Sequence, residues 1–324
     1  MLTSSPTPTH RAVIALLIVT IIWGLTFTWM KEGLDAAREH FGPGHLWATL
    51  GVWNALRFGL ATILLPIILP NARRGLTHLA PWRDGSLLGL VLAAAFFVQM
   101  AGLDRIDPAV SAFLTSLYVV GTALLSRLFL GVRHRRATLI GVGLATVGAS
   151  VISGPPQLAF GLGESLTALS GLLFAIHILL TDIITARHDS LPISTVTFAS
   201  VTVASLGLLL GASAVEGPIP VPTVLALFAE PAFILPAILC STFGSAVAIT
   251  LVNHYQRVLS PVRAAILYAL EPVWASGFAL AMGAATLDIW LLGGGLLLLG
   301  GNLIVVPGMK ERPGSPGVPS KGQS

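Results

Sequence analysis

Long runs of apolar residues, separated by short polar loops, make up nearly all of the 324-residue chain. A run of about 18 or more apolar residues is long enough to cross the hydrocarbon core of a membrane as a helix. The first run, residues 12–30, contains no charged residue. The pattern predicts an all-α polytopic membrane protein with ten transmembrane helices, over residues 12–30, 48–69, 85–103, 108–130, 137–153, 162–184, 193–213, 231–252, 261–282 and 287–307.

The distribution of basic residues predicts the orientation of these spans. Cytoplasmic loops of membrane proteins carry an excess of Lys and Arg. With the N-terminus inside, 13 of the 18 Lys and Arg residues fall on the cytoplasmic side. Only Lys31, Arg38 and Arg105 fall outside, while Arg57 and Arg127 lie within spans. We therefore expect a protein of the inner or plasma membrane with both termini in the cytoplasm.

The overall composition agrees with a membrane protein and excludes several other classes. Apolar residues make up 54% of the chain and charged residues 10%, with a mean hydropathy of +0.85. The net charge of +4 comes from basic residues scattered over short loops, so no nucleic-acid partner is expected. A single cysteine, Cys240, provides neither a disulfide framework nor a Cys-rich metal site. We expect no cofactor and no metal.

The two ends of the chain are interpreted separately from the spans. The first apolar run is longer than the core of a secretory signal and no convincing cleavage site follows it, so we interpret it as a membrane anchor. Residues 308–324 are rich in Pro, Gly, Ser and charge, and are predicted to be a disordered cytoplasmic tail.

The two halves of the chain echo each other at an offset of 153 residues. Pro108 aligns with Pro261, and the glycines Gly141 and Gly148 align with Gly294 and Gly301. Each half has five spans, an odd number, so the second copy must enter the membrane upside down. Inverted repeats recur in secondary transporters, which bind solute between the halves. The glycines, seven residues apart on one helix face, favour close helix packing.

Several strings resemble the EamA-type permeases of the drug/metabolite transporter superfamily over roughly residues 12–307. They are Trp23 and Gly24, residues 56–58, residues 113–120, Ala175 with His177, and residues 265–273, of which Leu270 to Val273 are the most specific. The resemblance implies two five-helix domains, over 12–153 and 162–307, related as inverted repeats. It also implies export or exchange of small metabolites or drugs.

The chain departs from this family pattern at two helix ends. Proteins of this type often carry a Gly-Glu pair after the fourth and ninth spans. Here Gly131 is followed by Val132, and Gly283 by Ala284. If the carboxylates normally clamp a helix end, this protein must close that end in another way.

Two charged residues lie near the centre of the predicted membrane. Arg57 lies about 10 residues into the second span and Glu271 about 10 into the ninth, which puts both near the midplane at a rise of about 1.5 Å per residue. A charge at this depth normally faces a partner or a watery cavity. Glu271 could bond free backbone at Pro272, pair with Arg57, bind a cationic substrate, or carry a coupling proton. Arg57 could anchor the bundle or hold an anionic group.

Other polar and aromatic residues in the spans are candidates for the substrate pathway. Tyr268 and Trp274 lie three residues on either side of Glu271 and would form an aromatic wall, with core packing as the alternative. His177 could relay protons or be an ordinary hydrogen-bonded histidine. The further candidates, which could equally be interhelical bonding groups, are Gln99, Trp23, Thr26 and Tyr118.

The function expected from the sequence is secondary active transport of a small organic solute by alternating access. No zinc-protease, nucleophile-elbow or nucleotide-binding motif occurs, so no enzyme activity is expected. Without an ATP site, energy would come from a proton, another ion or solute exchange. The partners are the solute and the lipid bilayer. A channel-like protein or a non-transporting scaffold is the alternative, and the sequence does not fix the oligomeric state.

Overall fold

The computed structural model describes residues 8–151, 155, 161–281 and 288–305, and the regular structure among them is helical, with no strand. The predicted tail, residues 308–324, lies outside the described residues. The α-helices are α1 Pro8–Phe41, α2 Leu46–Ile68, α3 Arg74–Thr77, α4 Trp82–Leu103, α5 Pro108–Thr115, α6 Tyr118–Leu130, α7 Arg136–Val151, α8 Leu162–Thr185, α9 Ser190–Val215, α10 Val221–Ala229, α11 Pro231–Leu239, α12 Ala248–Tyr255, α13 Pro261–Tyr268, α14 Glu271–Ala281 and α15 Ile289–Val305. A π-helix, Cys240–Val247, joins α11 to α12.

Seven helical stretches in the described part of the chain are long and apolar enough to cross a membrane. They are Thr9–Phe41, Leu46–Ile68, Trp82–Leu103, Pro108–Leu130, Leu162–Thr185, Ser190–Val215 and Pro231–Val258. The prediction of an all-helical integral membrane protein is therefore confirmed.

The other three predicted spans coincide with shorter helices. Arg136–Gly148 and Ile289–Gly301 are apolar but have only 10–17 residues. The predicted span 261–282 is divided between α13 and α14. By length and composition these helices do not establish further crossings, so the count of ten stays a prediction.

Two of the predicted spans, 108–130 and 261–282, are each divided into two helices, and the breaks fall at equivalent positions. Helix α5 ends at Thr115 and α6 begins at Tyr118, while α13 ends at Tyr268 and α14 begins at Glu271. All these positions match at the offset of 153 residues found in the sequence. The structural break therefore recurs where the sequence repeats.

The two breaks have different local causes. In the second, Pro272 has no backbone N–H and disfavours a helical conformation of the residue before it, so one helix ends and another begins. In the first, the Ser116 hydroxyl donates to the Phe113 carbonyl at 2.6 Å. A side chain that bonds its own backbone in this way often bends a helix.

Helices α7 and α15 cross in close contact, and the contact is reciprocal. A Cβ at Gly148 would lie 2.7 Å from the Gly294 carbonyl oxygen, and one at Gly301 would lie 2.8 Å from the Gly141 carbonyl oxygen. These are the four glycines matched by the repeat. Small residues let the two backbones approach each other at this crossing.

The C-terminal end of α6 is closed without a carboxylate. Gly131 takes a left-handed conformation with φ of 63°, and the Val132 N–H donates to the Ser126 carbonyl. The His134 ring lies over the same turn, with Nε2 3.0 Å from Ser126 Oγ. A glycine cap and a histidine therefore close this end. The corresponding position, Gly283–Ala284, lies outside the described residues.

The buried apolar side chains form two large clusters that meet at shared aromatic residues. One cluster is built mainly on α1, α2 and α4, and the other on α1, α6, α12 and α13. Trp23 and Phe174 pack against both. The boundary between the clusters is where the candidate site lies.

Candidate functional site

Eight of the nine candidate residues line one internal cavity at this boundary. They are Trp23, Thr26, Arg57, Gln99, Tyr118, His177, Tyr268 and Glu271. The remaining lining is mostly apolar and includes Phe96 and Phe174. The cavity has a volume of about 60 Å³, whereas pockets for drug-sized ligands have roughly 300–1,000 Å³. In this conformation it has room for a few waters.

Glu271 lies at the cavity as the first residue of α14. Its side chain is buried, and Oε2 accepts a long hydrogen bond of 3.3 Å from the Tyr118 hydroxyl. The N-terminus of a helix favours a negative charge through the aligned peptide dipoles. The break before Glu271 therefore places a carboxylate, in a favourable helix position, deep among apolar side chains.

Arg57 is fully buried and is held by several neutral groups. Its Nε donates to Ser245 Oγ at 2.8 Å, and Nη1 lies 3.3 Å from Met30 Sδ. Its guanidinium carbon lies 4.5 Å from the centre of the Phe96 ring, a cation–π contact. The π-helix supplies Ser245, and its Gly244 carbonyl accepts a hydrogen bond from Trp23 Nε1 at 3.1 Å.

Arg57 and Glu271 do not form an ion pair in this structure. Neither residue belongs to the ion pairs within 4.0 Å that join Lys31 to Asp35, Asp104 to Arg38 and Arg105, and His188 to Asp84. The static pairing that their similar depth allowed is therefore not formed. The reason is that α2 directs Arg57 toward the π-helix, while the break in the second half directs Glu271 toward Tyr118.

Three polar atoms of the cavity residues lack a hydrogen-bond partner within the described part of the chain. They are Arg57 Nη2, Gln99 Oε1 and His177 Nε2. Buried polar groups are nearly always satisfied by protein, water or ligand. An occupant of the cavity could therefore bond to the Arg57 donor and the Gln99 acceptor from the first half, and to the His177 ring nitrogen from α8.

Aromatic rings form one wall of the cavity. The Tyr268 ring lies 5.5 Å from Trp23 and 6.5 Å from Tyr118, both edge to face. The Tyr268 hydroxyl donates to Gln256 Oε1 at 3.0 Å, which holds the ring in place. Phe96 and Phe174 contact each other at 5.3 Å.

Trp274, the ninth candidate, is not among the described residues that line this cavity. Its Nε1 donates to Thr20 Oγ1 at 2.9 Å, and it packs α14 against α1 at Gly24. The prediction assumed one continuous helix from Tyr268 to Trp274. Because α13 ends at Tyr268, the three-residue spacing does not put the two rings on one face.

The smaller candidates serve local bonding as well as lining the cavity. Thr26 donates to the Trp23 carbonyl within α1 at 2.8 Å, so it does not join two helices. Gln99 Nε2 donates to Thr115 Oγ1 at 3.1 Å and ties α4 to α5 beside the first break. Ser245 and the π-helix were not found from the sequence, although the small residues around Gly244 were a signal of close packing.

Comparisons with known proteins agree with the resemblance found in the sequence. Residues 10–154 match the EamA-like transporter family. A protein of Archaeoglobus fulgidus described as an uncharacterized transporter is 26% identical over 291 residues, which cover 89% of this chain and 83% of that protein. A known crystal structure aligns with a TM-score of 0.66 at 15% identity, covering 91% of this chain and 95% of the other; this likeness concerns the fold alone. Recognition as an EamA-type permease is thus confirmed over residues 10–154.

Proposed function

We propose that this chain, EamA-like over residues 10–154, is a secondary active transporter that moves a small organic solute across the cell membrane, by export or exchange. The observation that carries the proposal is the buried cavity of Glu271 and Arg57, which lies beside two helix breaks and has unpartnered polar atoms. Transporters bind solute in such a place, at broken helices near the midplane.

The proposed architecture is ten crossings in two inverted repeats, residues 12–153 and 162–307, with both termini and the tail 308–324 in the cytoplasm. Two observations support it. The helix breaks recur at the repeat offset, and α7 and α15 exchange reciprocal glycine contacts. Helices related by a two-fold axis make reciprocal contacts of this kind.

The small cavity volume supports alternating access over a permanent pore. A volume of about 60 Å³ is too small for a metabolite of ordinary size. The conformation described here is then a closed one, and solute enters when the repeats rock apart. A channel would need a continuous water-filled path. A scaffold would not need buried charges such as Arg57 and Glu271, which have no ion-pair partner among the described residues.

Glu271 is the proposed coupling or cation-binding group, and Arg57 the proposed partner of an anionic group of the solute. Among the described residues, the Glu271 carboxylate accepts one side-chain hydrogen bond, the long one from Tyr118, and a proton or a cationic solute can replace that bond. Arg57 Nη2 has no hydrogen-bond partner in the described part of the chain, while its other two nitrogens are anchored. The aromatic wall would hold the apolar part of the solute.

A two-step experiment tests the proposal. The purified protein is screened by thermal shift against amino acids, nucleosides, polyamines and cationic dyes, because ligands of the native state raise its stability. Each hit is then assayed in proteoliposomes for saturable uptake and for acceleration by solute on the opposite side. We expect both properties, with a loss of at least about tenfold in Glu271→Gln, about 1.4 kcal/mol.

The control is Glu39→Gln, which neutralises an exposed carboxylate at the end of α1 and should leave flux unchanged. Uptake that rises linearly with solute concentration would favour a channel instead. Stabilising hits without any flux would favour a scaffold. If Glu271→Gln transported solute as fast as the wild type, Glu271 would have no part in the mechanism, but the protein would still be a transporter.

A further inference from the structure

A second cavity lies at helix ends that carry basic residues. Its lining is mostly polar and charged, whereas that of the first cavity is mostly apolar. It has a volume of about 240 Å³ and is lined by Asn71, Arg74, Asp189, Ser190, His254 and Arg257, with two apolar neighbours, Leu191 and Pro192. We name it the Arg74–Arg257 cavity. None of its residues belongs to the cavity of Glu271.

The two arginines of this cavity have free hydrogen-bond donors. Within the described residues, the Arg74 guanidinium makes no hydrogen bond or ion pair, and Arg257 uses only Nε, which donates to the His254 carbonyl at 3.1 Å. A guanidinium presents a planar fork of donors that matches the oxygens of a phosphate. The cavity therefore offers two such forks.

Other groups of the lining set the charge of the ligand. The Asp189 carboxylate makes no ion pair among the described residues and caps no backbone N–H of α9. The Ser190 hydroxyl is paired with the His254 ring at 3.2 Å. The two arginines and the aspartate together carry a single positive charge, which complements a singly charged phosphodiester better than a doubly charged phosphate monoester.

The surroundings favour a lipid as the source of that group. The Arg74–Arg257 cavity lies where α3, α9 and α12 begin or end, which is where a membrane helix meets the headgroup layer. The exposed side chains of Leu69 and Leu76 lie next to it along the chain and offer apolar surface to acyl chains. Basic pockets between helices on the cytoplasmic side of membrane proteins bind anionic headgroups.

We propose that the Arg74–Arg257 cavity binds the phosphodiester of an anionic phospholipid headgroup, with Asp189 accepting a hydrogen bond from a headgroup hydroxyl or ammonium. Arg74 comes from the first half of the chain, while Asp189 and Arg257 come from the second. A bound headgroup would therefore join the two halves and stabilise the conformation described here.

The test measures lipid binding by the purified, delipidated full-length protein in detergent. Native mass spectrometry and thermal shift are recorded with dioleoylphosphatidylglycerol, with its soluble headgroup glycerophosphoglycerol, and with inorganic phosphate. We expect the lipid to bind and stabilise the wild type, and its apparent Kd to rise at least about tenfold, about 1.4 kcal/mol, in the double variant Arg74→Gln/Arg257→Gln.

The matched control is Arg133→Gln/Arg136→Gln, which removes the same charge from another basic loop and should bind lipid like the wild type. A third variant, Asp189→Asn, raises the charge of the lining and should shift the preference toward phosphatidic acid, a phosphate monoester. If the first double variant does not fold, this shift still tests the cavity.

Each other outcome contradicts part of the proposal. Equal loss of lipid in the two double variants, or no loss in either, would mean that general charge and not the cavity binds lipid. Saturation by glycerophosphoglycerol at the same concentration as the lipid would make a soluble phosphodiester the ligand. If inorganic phosphate alone saturated the cavity and Asp189→Asn had no effect, the proposal that the cavity recognises a phosphodiester would be wrong.

Discussion

The Tyr118 hydroxyl donates to Glu271 Oε2 across 3.3 Å, and the two residues are separated by 153 positions, the offset at which the sequence repeats. Each is the first residue of the helix that follows a break, α6 or α14. Equivalent positions of the two halves thus meet each other at the central cavity. Under the proposed mechanism, this contact is one that must lengthen when the halves separate.

Replacing Tyr118 by Phe should remove the hydrogen bond and keep the ring. We expect the free energy of unfolding in detergent to fall by about 0.5–1.5 kcal/mol, because the buried Glu271 carboxyl loses its donor. The control is Tyr255→Phe, whose hydroxyl makes no hydrogen bond among the described residues. Equal effects of the two substitutions on thermal or denaturant unfolding would mean that the Tyr118–Glu271 bond contributes nothing.

Ser245→Ala should destabilise the protein by leaving the buried Arg57 Nε without its acceptor. The expected cost is about 1–3 kcal/mol, the range for an unsatisfied buried polar group. Ser241→Ala, on the same π-helix, is a matched control because the Ser241 hydroxyl is buried without a partner in the described part of the chain. Its removal should be neutral or stabilising. If denaturant unfolding ranked the two variants the other way, the described anchoring of Arg57 would be wrong.

Gly148→Ala should weaken the crossing of α7 and α15. The added Cβ would lie 2.7 Å from the Gly294 carbonyl oxygen, so the backbones must move apart. Overpacking of this kind costs about 1–3 kcal/mol. Gly143→Ala on the same helix meets no atom within 4 Å of its Cβ and should gain up to about 1 kcal/mol from helix propensity.

The reciprocal contact predicts the same result for Gly301→Ala, with Gly300→Ala as its control. Thermal unfolding of the four variants in one detergent is a sufficient measurement. Loss of stability in only one of Gly148→Ala and Gly301→Ala would argue against a symmetric crossing.

The sequence predicted the larger features of the fold because they depend on composition and spacing. Apolar length predicted the membrane helices. The glycine spacing predicted close helix packing at these four residues, and the structure identifies the packed pair as α7 and α15. Pro272 is a local signal for one helix break, since its N–H is missing, although the predicted span 261–282 ran across it. The matching break at Ser116 has no such signal in the sequence, because it depends on which carbonyl the serine hydroxyl selects.

The sequence predicted which residues line the candidate cavity better than it predicted their contacts. Depth in the membrane singled out Arg57 and Glu271, but depth does not give the direction of a side chain. Arg57 turns toward Ser245 because a π-helix widens the opposite span, a feature that no periodicity rule detects. Trp274 lies outside this cavity for a related reason, since a helix break separates it from Tyr268.

Side-specific labelling tests most directly the central claim that the two halves are inverted copies enclosing a shared cavity. Single cysteines are placed at Pro43, Val132, Gly161 and Ala186 in a Cys240→Ser background, and intact cells are treated with a membrane-impermeant maleimide. We predict labelling from outside at Pro43 and Gly161, and protection of Val132 and Ala186 until the membrane is opened. Protection of Gly161 together with labelling of Ala186 would place an even number of crossings in the first half, and would contradict the inverted arrangement.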